Sequence, residues 1–132
     1  MSLNPKFLTL DQVIALHQLQ IDHFGGSPGV KDQGLLLSAL EQPEAGFGDE
    51  YLRKDLYEMA AAYLFDLVKN HAFNDGNKRI AALTSAVFLQ VNGLIVTADE
   101  DKFEKLVLDA AQSLVSKEQI AEFFRKNTTA QD

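Results

Sequence analysis

Residues 71–93 read HAFNDGNKRIAALTSAVFLQVNG, and the two halves of this stretch ask for opposite surroundings. From Ile80 onward the run is almost wholly apolar and long enough for a buried helix, with Gly93 suited to its stop. The residues before it, His71 to Arg79, gather a titratable base, a carboxylate, a glycine turn and two cations. Asn77 suits the N-cap, which puts Lys78 and Arg79 in the first turn, where the helix dipole disfavours each exposed cation by roughly 0.3–1 kcal/mol. An anion relieves that conflict. Free N–H groups at the helix start, a flexible Gly76 and the two cationic side chains form a cradle for phosphate oxygens.

Working outward, the period is helical almost throughout. Thr9 and Gln12 form a capping box ahead of a first helix whose apolar stripe runs Leu10, Ile14, His17, Ile21 and Phe24, ending in Gly25 and Gly26. SPGVKDQG, residues 27–34, is turn chemistry, and Asp32 caps a short helix carrying Leu35, Leu36, Ala39 and Leu40 up to Pro43. EAGFGDEYLRK, residues 44–54, mixes glycines, aromatics and charges without a period and reads as a loop or small β-hairpin flap. A third helix, from about Asp55 to Asn70, places Leu56, Met59, Ala60, Tyr63, Leu64 and Leu67 on one face and delivers the chain to His71. Beyond Gly93, LIVT is a short extended piece. Thr97 with Glu100 then makes a capping box before Phe103, Leu106, Val107, Ala110 and Leu114. Ser116 and Gln119 open a last short helix bearing Ile120, Phe123 and Phe124, and NTTAQD, residues 127–132, reads as a disordered, frayed tail. These elements predict an all-α bundle of about six helices with a small flap, in one domain over residues 1–126.

Composition narrows the function. The chain has 132 residues, 46% hydrophobic and 23% charged, and buries roughly two-thirds of its unfolded surface as one ordinary domain. Twelve Lys and Arg against nineteen Asp and Glu give a net charge of −7, which repels nucleic acid and anionic membranes, so any basic site is local. Absence of cysteine excludes a disulfide scaffold, thiolate zinc sites and thiol catalysis. No apolar stretch reaches spanning length and MSLNPKFLTL lacks a signal pattern, so a cytoplasmic protein is expected. Neither a P-loop nor a G-x-G-x-x-G after a strand is present, and phosphate chemistry must use residues 71–79.

HAFNDGNKR resembles the signature loop of the Fic/Doc family, in the variant of the Doc (death-on-curing) toxins. Fic proteins read H-P-F-x-[DE]-G-N-G-R, whereas Doc toxins carry Lys in place of the second glycine, here Lys78. The resemblance covers about residues 7–125, including FGGSPGVKDQGLLLSALEQP; Ala72 departs from it, standing where the family has Pro. The implied fold is the Fic-fold helical bundle. By the same resemblance, His71 would be the general base toward a protein hydroxyl and Phe73 would anchor the loop. Asp75 would bind a Mg²⁺ that bridges nucleotide phosphates. Gly76, Asn77 and Lys78 would line the anion hole, and Arg79 would hold a phosphate. Phosphoryl transfer needs positioning and charge neutralisation more than covalent help, which agrees with these roles, and an ordinary imidazole near pKa 6.5 is a sensible base at neutral pH.

Lys78 separates two reactions. Where the family has Gly, the hole admits the middle of a triphosphate and a nucleotidyl group is transferred; a Lys fills part of it, and Doc-like proteins are thought to bind ATP reversed, presenting the γ-phosphate. The resemblance thus implies a protein kinase acting on a Thr of translation elongation factor Tu and arresting translation. A Fic-type nucleotidyltransferase and a catalytically silent binding module are the alternatives. No Glu is followed by Gly or Asn, so the inhibitory helix motif of many Fic enzymes is missing, and restraint would come from an antitoxin that folds as a helix in an apolar groove. Phe47, Tyr51, Arg53 and Lys54 in the flap are candidates for docking the target. Plainer readings stand beside these. A His ending an apolar stripe is often a core residue, Asp75 beside Gly76 can be a turn former, and Lys78 with Arg79 a solvated pair. His17 reads as core or interface packing, His23 as a helix-end cation, and Asp99, Glu100 and Asp101 as a favourable first turn.

Overall fold

The computed structural model describes residues 3–48 and 50–131. In chain order the elements are α1 (Leu10–Phe24), α2 (Gln33–Glu41), β1 (Gly46–Phe47), β2 (Glu50–Tyr51), α3 (Leu56–Asn70), α4 (Asn77–Val91), β3 (Leu94–Val96), α5 (Glu100–Ala111), α6 (Lys117–Lys126) and β4 (Thr128–Ala130). The fold is all-α, with the 44–54 segment forming the antiparallel flap β1–β2, in which Gly46 faces Tyr51. None of the helices is long and apolar enough to cross a membrane among the described residues.

Side-chain caps that span three residues start four of the helices. Thr9 Oγ1 accepts from Gln12 N at 3.2 Å while Gln12 Oε1 accepts from Thr9 N at 2.9 Å, and Ser116 and Gln119 repeat the reciprocal pair at 3.1 and 2.8 Å. Asp32 and Asp55 cap α2 and α3 by accepting from Leu35 N and Glu58 N at 3.0 and 2.8 Å. Each such cap contributes about 1 kcal/mol.

The third helix is the hub. Its apolar residues were expected on one face, yet Met59 through Leu64, Leu67 and Val68 are buried on nearly every side, because α2, α4, α5 and α6 all pack against it. Ala60, Ala61 and Ala62 make those close approaches sterically feasible. Tyr63, fully buried with its ring 5.0 Å from that of Phe88, accepts the Leu8 N–H on its hydroxyl at 3.0 Å. Burial pushes its phenol up to about 12.

Four expectations are corrected. Asn77 is the first residue of α4 and not its cap; the cap is Gly76, in the left-handed region at φ 73°, and it supplies no side-chain bond. Asn77 instead turns back to accept from Phe73 N and donate to Phe73 O, each at 3.0 Å, closing the loop on itself. Thr97 does not cap α5, because its N–H goes to Asn127 O at 2.7 Å; Asp99 caps by accepting from Asp101 N at 3.0 Å. The supposed frayed tail supplies β4, with Thr128, Thr129 and Ala130 opposite Val96, Ile95 and Leu94, so that the strand after α4 finds a partner at the far end of the chain. Asp132 lies outside the described residues. Finally, the buried residues of α1 are Val13 and His17, whereas Phe24 at the end of the expected stripe is 61% exposed.

Candidate active site

Where α3 ends, His71 takes a left-handed conformation, φ 53° and ψ 47°, that ordinarily falls to glycine or asparagine. This turn throws its imidazole out to solvent and reverses the chain into the loop. A non-glycine residue in that region persists only where neighbours over-determine it, and here they do. Ala72 and Phe73 are 1% exposed. The Ala72 carbonyl accepts from Lys31 N and Asp32 N at 2.8 and 3.1 Å, and Phe73 forms a β-bridge with Val30. Asn74 N donates to Gly29 O at 3.1 Å and its side chain to Pro28 O at 3.0 Å. Residues 27–32, read from sequence as turns, are therefore a strap along the loop, and this pairing holds the backbone around Ala72.

Asp75 sits at the tip with an exposed carboxylate. Its Oδ2 accepts from Ser27 N at 3.2 Å and its Oδ1 from Gly76 N at 2.8 Å. These two N–H groups, Ser27 foremost, hold the carboxyl below the usual aspartate range, so it is anionic at any physiological pH. The strap passes so close that a Cβ on Gly26, at φ 113°, would lie 2.6 Å from Asp75 Oδ2. Behind the loop, His17 of α1 is 2% exposed, stacks on the Phe73 ring at 3.9 Å and lies with Nε2 2.8 Å from the Asp75 carbonyl.

His71 and the run Asn74 to Arg79 line one open concavity of about 350 Å³. All the residues expected at the catalytic, metal and phosphate positions thus meet in one place, with Phe73 buried beneath them. Because α4 has no side-chain cap and no acidic residue in its first turn, its leading N–H groups and the cations Lys78 and Arg79 are left for an anion. Asp75 is suited to a Mg²⁺ ion, which takes one or two carboxylates and otherwise phosphate and water oxygens; no group of three metal-binding side chains occurs among the described residues.

The flap residues divide. Phe47 is 93% exposed and Lys54 faces solvent, but Tyr51 packs edge-on against Phe7 at 5.5 Å and Arg53 donates to Gln42 Oε1 at 3.2 Å. Of the four flap candidates, two therefore face solvent and two pack inward. Sequence reasoning expected an apolar groove without locating it; a groove of about 610 Å³ lies between α1, α4 and α5 and shares Lys78 and Arg79 with the first hollow. Its floor is apolar, from Phe24, Leu83, Ala86, Phe103, Val107 and Leu108, and Glu100 and Glu104 lie on the α5 side. The Arg79 guanidinium rests over the Phe24 ring at 4.7 Å, joining the groove to the loop concavity.

A helical bundle that presents a base, a carboxylate and a cationic helix start on one strapped loop is that of the Fic/DOC family, and the chain belongs to it: the family's model matches residues 7–89. Over 121 residues the chain is 32% identical to the protein kinase doc of Escherichia phage P1, covering 92% of this chain and 94% of that one. To the toxin Doc of Mycolicibacterium smegmatis it is 42% identical over 95 residues, 70% of this chain and 67% of the relative.

Proposed function

We propose that this protein is a Doc-like toxin that transfers the γ-phosphoryl group of ATP to a threonine hydroxyl of a protein target, translation elongation factor Tu, in the cytoplasm. The observation that carries the reading is the single concavity in which exposed His71 faces Asp75, Lys78 and Arg79. The His71 imidazole takes the proton of the attacking hydroxyl; that oxygen bonds to the γ-phosphorus as the bond to the β–γ bridging oxygen breaks, and ADP leaves. Lys78, Arg79 and the first N–H groups of α4 neutralise and orient the phosphates, the main requirement of such a transfer. Asp75 would hold Mg²⁺, which supplies charge neutralisation between phosphates. Lys78, which lines the concavity where the family's glycine would stand, would by that resemblance fill part of the hole and favour γ-phosphate presentation.

Restraint by an antitoxin fits the groove between α1, α4 and α5. An amphipathic helix laid there would cover an apolar floor, and its contacts with Phe24 and Arg79 would reach the phosphate cradle. Incubating the protein with ATP labelled at either the α or the γ position, together with bacterial extract, tests the reaction type. The γ label is expected in a protein product. Entry of the α label would replace this reading with nucleotidyl transfer, and entry of neither with a binding module.

A further inference from the structure

The peptide joining Asp75 to Gly76 is planar and trans, so its carbonyl and its N–H point in opposite directions. His17 meets the carbonyl at 2.8 Å, and since a carbonyl only accepts, Nε2 carries the proton there. The ring has little freedom to do otherwise. It is 2% exposed and lies 14° from parallel on the Phe73 ring at 3.9 Å. On the other side of the same peptide, Gly76 N–H donates to Asp75 Oδ1 at 2.8 Å. A half-turn of this peptide would swing the carbonyl oxygen toward the anion cradle and remove one of the two N–H groups that hold the carboxylate.

We infer that His17 is a positioning residue for the site: by donating to the Asp75 carbonyl it fixes the 75–76 peptide, and through Gly76 N–H it sets the direction of the Asp75 carboxylate. The inference rests on the reading of Asp75 as the residue that faces a Mg²⁺-bound nucleotide. His17 touches no reactant; it acts through the backbone, across 58 residues of sequence. Its burial and stacking explain a core histidine, but they do not explain why a hydrogen-bond donor is placed against this carbonyl where phenylalanine would fill the space.

Two variants separate donor from packing. His17→Phe keeps an aromatic ring over Phe73 and loses the donor; His17→Gln keeps an N–H at similar reach and loses the ring. Expected for His17→Phe is a melting temperature close to that of the parent, faster hydrogen exchange at the Gly76 amide, and a Mg²⁺ requirement for phosphotransfer raised on the order of 10–100-fold. His17→Gln should restore both the exchange protection and most of the Mg²⁺ dependence. Equal behaviour of His17→Phe and parent in both readouts, or equal loss in the two variants, overturns the inference. Nitrogen spectra of the unmodified protein give a reading that no folding defect can obscure: the Nε2–H tautomer of His17 is expected, and an Nδ1–H tautomer overturns it. Amide exchange and tautomer are measured without turnover, so absence of transfer in the parent would count against the proposed reaction and not against this role.

Discussion

His71 holds the most strained backbone of the loop, and the strain has a measurable sign. A left-handed conformation costs a residue with a Cβ roughly 1–2 kcal/mol, and glycine loses roughly 0.5–1 kcal/mol of this advantage to its freer unfolded chain. Since the side chain is exposed, His71→Gly should leave stability unchanged or raise it by up to about 1.5 kcal/mol while abolishing transfer; thermal melts beside an activity assay check both. Stability that rises as activity vanishes marks a residue kept for chemistry. The identities on this loop were legible in the sequence because the conflict they create, two cations at the positive end of a helix, is local. Their supports were not. Asn77 reads as a helix cap from its neighbours, yet its amide is committed to Phe73, and His17 reads as core because the carbonyl it meets lies 58 positions away.

At the scale of elements the same division between local and remote holds. Caps at Thr9, Asp32 and Ser116 depend on a bond spanning three residues and were readable, whereas the β3–β4 pair joins segments more than thirty positions apart and went unseen. The flap was readable as a break in period, though not which of its side chains turn inward. Anchoring of the N-terminal segment on α3 yields a pH dependence. Tyr63 titrates at about 12 when folded and at 10 in the unfolded chain, so its contribution is complete below pH 10 and is lost as pH rises from 10 toward 12. That two-unit difference corresponds to a stability loss of roughly 2–3 kcal/mol. Tyr63→Phe should lack this alkaline loss, and should be about 1–3 kcal/mol less stable near neutrality because the buried Leu8 N–H loses its acceptor. Urea unfolding at pH 8 and pH 11 distinguishes parent from variant; equal slopes would remove Tyr63 from the explanation.

The whole molecule carries −7 while its one strapped loop ends in two adjacent cations, so long-range repulsion of polyanions coexists with a local cationic concavity of the kind the proposed triphosphate would need. Beside that cradle the groove between α1, α4 and α5 offers a partner helix both an apolar floor and, through Phe24 and Arg79, access to the site it would silence. Leu108, which lines the groove and is 40% exposed, separates the two functions. Leu108→Glu should alter stability by no more than roughly 0.5 kcal/mol and leave transfer by the purified protein intact, while growth arrest persists despite co-expression of an antitoxin that rescues cells from the parent. Rescue equal to that of the parent would place the restraining contact elsewhere. The central claim is that the imidazole at the mouth of α4 accepts the proton of the attacking hydroxyl. Its most direct test is the rate of γ-phosphoryl transfer by His71→Ala, at matched folding and ATP saturation. A fall on the order of 10²–10⁴-fold is expected for a lost general base, and an unchanged rate, with cells arrested as by the parent, would contradict it.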